Sequence, residues 1–281
     1  MVEKRVRDLK IKANEIRKDI LSELYFAGSG HTAGSLGATD ILTVLYFDFL
    51  NIDSKKPLDE SRDYFILSPG HICPALYATL ANRGFFERKE LSSLRKLNSM
   101  LQGHPHRSQV PGVETSSGPL GSGLSQAAGL ALALKNDEKK NRVVCLTSDG
   151  EHDEGNHWEA VLFAHKYHLN NLLVFIDRNR IQISGNTEQV MPLGSLKEKY
   201  LSFGWGVIEI DGNNISEIIS ALEKSTYERQ KPLAIIANTI PGKGVKLFEN
   251  NYKWHGVVPN KDQYEQALKE LEEDHLRVLN S

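Results

Sequence analysis

Two places in this chain carry hard oxygen donors just after short apolar runs: Asp149, followed by Gly150, and Asn179. Carboxylate and amide oxygens of this kind suit Mg²⁺ or Ca²⁺, and such a metal keeps coordination positions for phosphate oxygens. Gly150, beside the carboxylate, lets a phosphate approach the backbone closely. Asp, Asn and Gly also dominate ordinary turns, so taken alone both places read equally as turns. Four histidines, His31, His71, His104 and His255, each stand in a Gly- or Pro-containing stretch. An imidazole donates, accepts or shuttles a proton near neutral pH. A single loop histidine is ordinarily a surface or capping residue; four sharing one sheet edge would form a proton-handling site.

The elements that must position these groups follow from periodicity. Val143 to Thr147 and Leu172 to Ile176 are short, apolar and rich in β-branched residues, as buried strands are. Between them Trp158, Leu162, Ala164 and Tyr167 recur at mixed three-and-four spacing, which predicts a helix with those residues on its face. Asp149 and Asn179 then sit past the carboxyl ends of two strands joined by a helix, the edge where parallel α/β sheets bind ligands. Tyr64 to Leu67, Gly206 to Ile210 and Leu233 to Asn238 read as further strands. An N-terminal helix carries Val6, Leu9, Ala13, Ile16, Ile20 and Leu24 on one face. A second apolar helix begins near Thr39-Asp40, and others cover Pro74 to Asn82, Arg88 to Leu97, Leu124 to Lys135, Ile215 to Arg229 and Lys261 to Leu279. The helix from Leu124 has few polar residues and is predicted to be buried. Asn98 to Gly123 is mostly loop, and its length points to function. Strands alternating with helices give an α/β fold, a mainly parallel sheet with helices on both faces. Nothing marks a linker, so 1–281 reads as one domain.

Composition excludes several classes. With 34 Lys and Arg against 36 Asp and Glu, the net charge of −2 gives no reason to expect nucleic acid or a membrane surface as partner. No apolar run approaches the ~18 residues of a membrane span. The charged N-terminus does not resemble a signal peptide, and Cys73 and Cys145 form neither a disulfide framework nor a metal spacing. The expected location is the cytoplasm.

Further motifs carry a resemblance to a known family. Asp149-Gly150 followed by Asn179 is similar to the metal-and-diphosphate motif of thiamine diphosphate enzymes, with Ser148 where that motif usually has Gly. Ser29-Gly30-His31 with Gly34 and Gly37 resembles the transketolase SGHPG loop, with Thr32-Ala33 in place of Pro-Gly. Leu67-Ser68-Pro69-Gly70-His71, Gln102-Gly103-His104-Pro105, the GVETSSGPLG run from Gly112 to Gly121, and Trp254-His255-Gly256 match transketolase blocks in family order. The resemblance implies a thiamine diphosphate-binding domain of the diphosphate-binding (PP) type. It implies that Asp149 and Asn179 hold Mg²⁺ (or Ca²⁺) by side chains, and Ile181 by its carbonyl. Gly150 contacts the diphosphate, and so do His71 and His255. Gly118, Pro119 and Leu120 meet the aminopyrimidine by backbone, and Glu154 is a family carboxylate that hydrogen-bonds at the cofactor site between subunits. His31 and His104 are the substrate-side histidines, with His255 also facing the substrate.

The reaction so implied is transfer of a two-carbon ketol unit from a ketose to an aldose, free or phosphorylated, in the pentose phosphate pathway or a specialised sugar pathway. No second thiamine-type block follows His255. The resemblance therefore implies an N-terminal subunit whose pyrimidine-binding and C-terminal domains lie on a partner chain, in a heterotetramer with two of each. The alternatives are the α subunit of another thiamine enzyme (a two-oxoacid dehydrogenase, or one like deoxyxylulose-phosphate synthase) and a non-catalytic regulatory homologue. A nucleotide-binding protein is disfavoured, because neither a Walker-type loop nor a Rossmann glycine fingerprint follows a strand.

Overall fold

The computed structural model describes residues 2–226 and 230–280. Helix α1 (Val2–Ala27) leads into α2 (Thr32–Gly37) and α3 (Thr39–Val44), which runs on into a π turn at Leu45–Phe49. Strand β1 (Tyr64–Leu67) precedes α4 (Cys73–Arg83), and α5 (Ser122–Asn136) leads to β2 (Val143–Ser148). Then come α6 (Gly155–Lys166), β3 (Leu172–Arg178), and a small hairpin of β4 (Ile181–Gln182) and β5 (Gly185–Asn186). The remainder is α7 (Thr187–Val190), α8 (Leu196–Ser202), β6 (Gly206–Asp211), α9 (Ile215–Ser225), β7 (Leu233–Asn238) and α10 (Lys261–Leu279).

Five strands form one sheet in the order β1-β2-β3-β7-β6, and every neighbouring pair is parallel. Because side chains alternate across a strand, β3 feeds two cores. Leu173 and Phe175 join the residues of α1, α3, α4 and α9, whereas Leu172, Val174 and Ile176 join those of α5, α6 and α8. Each such buried side chain contributes roughly 1.5–3 kcal/mol of transfer free energy, so β3 is fixed from both sides. The chain leaves β3 toward the face that carries α5, α6 and α8, and leaves β7 toward the opposite face, where α10 packs with α1. That border is the topological switch point where open α/β sheets form a ligand crevice.

Some expectations are corrected. A helix does start at Thr39 as expected, but an unforeseen short helix, α2, precedes it, with His31 at its N-cap and a break at Ala38. Arg88 to Leu97 is not a helix: only a 3₁₀ turn at Arg88–Ser93 forms, since Arg95 and Asn98 adopt left-handed φ of 60° and 64°. Helix α5 is buried on one side only, with Ser125, Gln126, Gly129 and Ala133 exposed. The face of α6 also differs. It buries His157, Ala160, Val161 and Ala164, while Leu162 is 52 % and Tyr167 41 % exposed. The helix expected from Ile215 ends at Ser225, and its foreseen last three residues lie outside the described residues.

Candidate cofactor and substrate site

The carboxyl ends of the strands converge on a cavity of about 290 Å³. Asp149 follows β2 directly and Asn179 follows β3, so the strand-end expectation holds geometrically. Both line the cavity with Gly150, Glu154, Ile181, Leu120, His31, His71 and His255. His104, Gly118 and Pro119 do not line it. The exposed His104 ring lies at the rim, near Gly70 and Gly118.

Three histidine rings pack together. The centroids of His31 and His71 are 4.7 Å apart, and His255 lies 5.5 Å from each. They come from the start of α2, the 3₁₀ turn after β1, and the loop after β7. Thr32 ties the first and third, its hydroxyl donating to the Val257 carbonyl at 2.6 Å. Burial, with His255 and Arg95 adding to it, lowers His31 to about 4; burial, then His31, lowers His71 to about 3. Burial also lowers His255. The rings are therefore neutral at pH 7, each able to donate from one nitrogen and accept at the other. The Nδ1 atoms of His31 and His255 are buried with no protein partner.

The long loop from Leu94 to Gly121 has no regular structure but is fastened from below. The Tyr77 hydroxyl donates to the Gln102 carbonyl at 2.9 Å, and the Cys73 thiol to the Gly103 carbonyl at 3.2 Å. Arg62 pairs with Glu114 at 2.6 Å. Gly70 permits a close approach: a Cβ there would lie 2.9 Å from the Ser117 carbonyl carbon and 3.0 Å from the His104 ring. Any side chain at that position would push the two histidine loops apart.

Asp149 is 1 % exposed, and three donors crowd one of its oxygens. Oδ2 accepts from Arg178 Nη1 at 3.0 Å, the Arg180 backbone N–H at 2.7 Å and the Thr187 hydroxyl at 3.5 Å. Arg180 reaches it by adopting a left-handed φ of 63°, a strained conformation for a residue with a side chain. Burial raises the Asp149 carboxyl, and Arg178 opposes the shift. Among the described residues no three His, Cys, Asp or Glu side chains form a metal cluster. The donors offered here are one carboxylate, one amide and one carbonyl, a hard-oxygen set that leaves room for phosphate oxygens and fits Mg²⁺ or Ca²⁺.

Sequence reasoning missed the supports beneath the site. Glu151 is fully buried and joins three segments. It accepts from the Ser68 hydroxyl, from the Gly121 N–H at 2.8 Å and from the Ser148 N–H at 2.8 Å. Ser148, which stands where the related motif has Gly, also turns its hydroxyl to Glu151, at 3.3 Å. His152 meets the Ser148 carbonyl at 3.0 Å through Nδ1 and the Tyr200 hydroxyl at 3.0 Å through Nε2; His157 shares that hydroxyl at 2.8 Å. Only the acidic and histidine-rich composition of 149–157 hinted at a polar network, and no periodicity marks which of these residues turn inward.

These neutral histidines set a pH response. Unfolded imidazole titrates near 6.5, whereas burial holds His71 at about 3 and His152 at about 4. Between those values the unfolded chain binds more protons, so stability rises with pH and is lost as pH falls below about 6.5. Each histidine adds a slope approaching ~1.4 kcal/mol per pH unit in that window. Thermal melting between about pH 4.5 and 7.5 is expected to show this decline on acidification; a melting temperature unchanged across the range contradicts the burial of neutral rings.

Known proteins resemble this chain over nearly its whole length. Residues 9–275 match the family described as transketolase, thiamine diphosphate binding domain. The chain is 41 % identical over 268 residues to a subunit of the apulose-4-phosphate transketolase of Phocaeicola vulgatus, covering 95 % of each. It is 40 % identical over 267 residues to the 6-deoxy-6-sulfo-D-fructose transketolase subunit SqwG of a Clostridium species, covering 95 % of this chain and 97 % of that one. Human transketolase is 36 % identical over 270 residues, which cover 96 % of this chain and 43 % of the human protein. The crystal structure of Campylobacter jejuni transketolase superposes with a TM-score of 0.88 at 30 % identity, over 96 % of this chain and 45 % of that one. The chain thus spans less than half the length of these last two relatives. No helix among the described residues is long and apolar enough to cross a membrane. In sequence and in fold alike, the chain belongs to the transketolase family, as its thiamine diphosphate binding domain.

Proposed function

We propose that this chain is the N-terminal subunit of a two-chain, cytoplasmic transketolase that uses thiamine diphosphate and Mg²⁺ (or Ca²⁺) to move a two-carbon ketol unit from a ketose to an aldose. The observation that carries the reading is the match to proteins named as transketolase subunits over 95 % and 97 % of their own lengths. Residues 1–281 act as one diphosphate-side domain, and a partner chain supplies the pyrimidine-binding and C-terminal domains, two copies of each chain forming the assembly. Those two relatives are named for apulose 4-phosphate and 6-deoxy-6-sulfo-D-fructose, which supports a sugar phosphate or similar sugar, from the pentose phosphate or a specialised pathway, as substrate.

The chemistry proposed for each residue is what the family motifs imply, and the cavity lining supports it for Asp149, Gly150, Asn179, Ile181, His31, His71 and His255. Asp149 would hold the metal through Oδ1, because Oδ2 is already saturated with donors. Asn179 by side chain and Ile181 by carbonyl complete the protein's share. His71 and His255, deep in the cavity, face the diphosphate with Gly150. Gly118, Pro119, Leu120 and Glu154 belong to the aminopyrimidine side. Bound thiamine diphosphate supplies the carbanion chemistry that stores the two-carbon fragment. His31 and His104, with His255, orient the sugar and carry its hydroxyl protons, work that suits rings neutral at pH 7.

Mixing this chain with a candidate C-terminal transketolase subunit, with thiamine diphosphate and Mg²⁺ present, tests the reading. Mass photometry is expected to show a two-plus-two complex, and ketol transfer should require both chains. Ketol transfer by this chain alone, or a complex without any, would overturn it.

A further inference from the structure

We propose that Asp177, anchored by Thr239, is the positioning residue that presents the Asn179 side-chain oxygen to the metal; the inference rests on the metal-site reading above. Asn179 Nδ2 donates to Asp177 Oδ2 at 2.8 Å, and Asn179 Oδ1 accepts the Ile181 backbone N–H at 3.1 Å. These partners are of opposite kind, so they fix which way round the amide sits. Flipped, the NH₂ group would face a backbone donor and the carbonyl oxygen would face a carboxylate. In the observed orientation Oδ1 has spent one of its two lone pairs on Ile181 and retains the other.

Asp177 is itself held. Its Oδ1 accepts the Thr239 hydroxyl, one residue past β7, and its backbone is paired with Ala237 across the switch point of the sheet. Each carboxylate oxygen thus has a donor, and the one on Oδ2 is the Asn179 amide itself, so the proposed role of Asp177 is exerted through Asn179. The placement of the residue supports a role. Asp177 is 1 % exposed and its carboxylate accepts from two uncharged side chains, Thr239 and Asn179, whereas the next residue, Arg178, is turned to Asp149 and Glu188. An interior carboxylate held by uncharged groups is costly, and an outer-sphere carboxylate that orients a metal ligand is a recurrent use of one.

The test uses the mixed complex with thiamine diphosphate and Mn²⁺, free and bound Mn²⁺ being resolved by electron paramagnetic resonance. Asp177→Asn, which keeps the side-chain volume, is expected to weaken Mn²⁺ binding by about tenfold or more, the loss typical of an outer-sphere partner. Exchanging the pair, Asp177→Asn with Asn179→Asp, restores an amide donor facing a carboxylate and is expected to recover most of that affinity. Thr239→Val removes only the anchoring hydroxyl and is expected to weaken binding less. It also carries the test should Asp177→Asn fold poorly, which melting without metal reports. Parent-like Mn²⁺ affinity in Asp177→Asn overturns the inference, as does a loss the exchanged pair does not recover, the pattern a packing role alone gives. If the parent complex binds no Mn²⁺, the metal-site reading itself fails, and this inference with it.

Discussion

Asp149→Ala is expected to abolish metal-dependent retention of thiamine diphosphate, weakening it by more than about 100-fold, beyond the loss typical of an outer-sphere partner. Asp149 is the one carboxylate in the proposed ligand set, and an amide and a carbonyl alone hold a hard cation weakly. Its second oxygen also matters to the fold, because it receives Arg178, the Arg180 N–H and Thr187. Removing one partner of a buried pair costs about 3–5 kcal/mol, although Arg178 keeps Glu188. Asp149→Asn therefore accompanies the alanine variant. It retains an oxygen for Arg178 while removing the negative charge, and is expected to remain folded and still lose the metal. Calorimetric titration of thiamine diphosphate into the complex, with and without Mg²⁺, reads the effect. A Mg²⁺-dependent affinity equal to the parent's would sink the assignment of Asp149.

How far the chain could be read from its letters differed between its parts, for physical reasons. The strands that end at Asp149 and Asn179 were legible because a parallel strand covered on both faces must be apolar along its whole length, and Val143–Ser148 and Leu172–Arg178 are buried throughout. The gathering of His31, His71 and His255 was legible only through the ordered loop motifs, since their segments are far apart in sequence. The face of α6 was misread because its inward positions include His157, a polar residue that pairs with Tyr200 across 43 positions. Hydrophobic periodicity cannot register such a residue as core. Arg88 to Leu97 had helical composition, yet Arg95 turns left-handed, with its backbone N–H on the Leu101 carbonyl at 2.8 Å. That bond folds the loop back on itself. Glu151 and Asp177 escaped notice for a related reason. Each looks like a turn residue locally, and only tertiary contacts to Ser68, Gly121 and Thr239 show it as a buried support.

His104→Ala is expected to lower kcat/KM for ketol transfer by about 10²-fold or more, the range for a positioned acid–base group, while thiamine diphosphate affinity stays near the parent's. The division rests on depth. His31, His71 and His255 line the cavity, whereas His104 stands exposed at its rim. On the proposed reading, a ring there would meet the substrate rather than the cofactor's diphosphate. Its loop is held from below by Tyr77 and Cys73 through the carbonyls of Gln102 and Gly103, so truncating the exposed ring leaves those fastenings in place. His71→Ala gives the opposite pattern on the same reasoning, with cofactor affinity falling first and turnover recovering as thiamine diphosphate is raised. Steady-state kinetics at saturating cofactor, paired with calorimetric affinities for both variants, separates the two. Collapse of cofactor affinity in His104→Ala, with kcat preserved at saturation, would mean that the rim histidine serves the diphosphate, and the roles of the two rings would have to be exchanged.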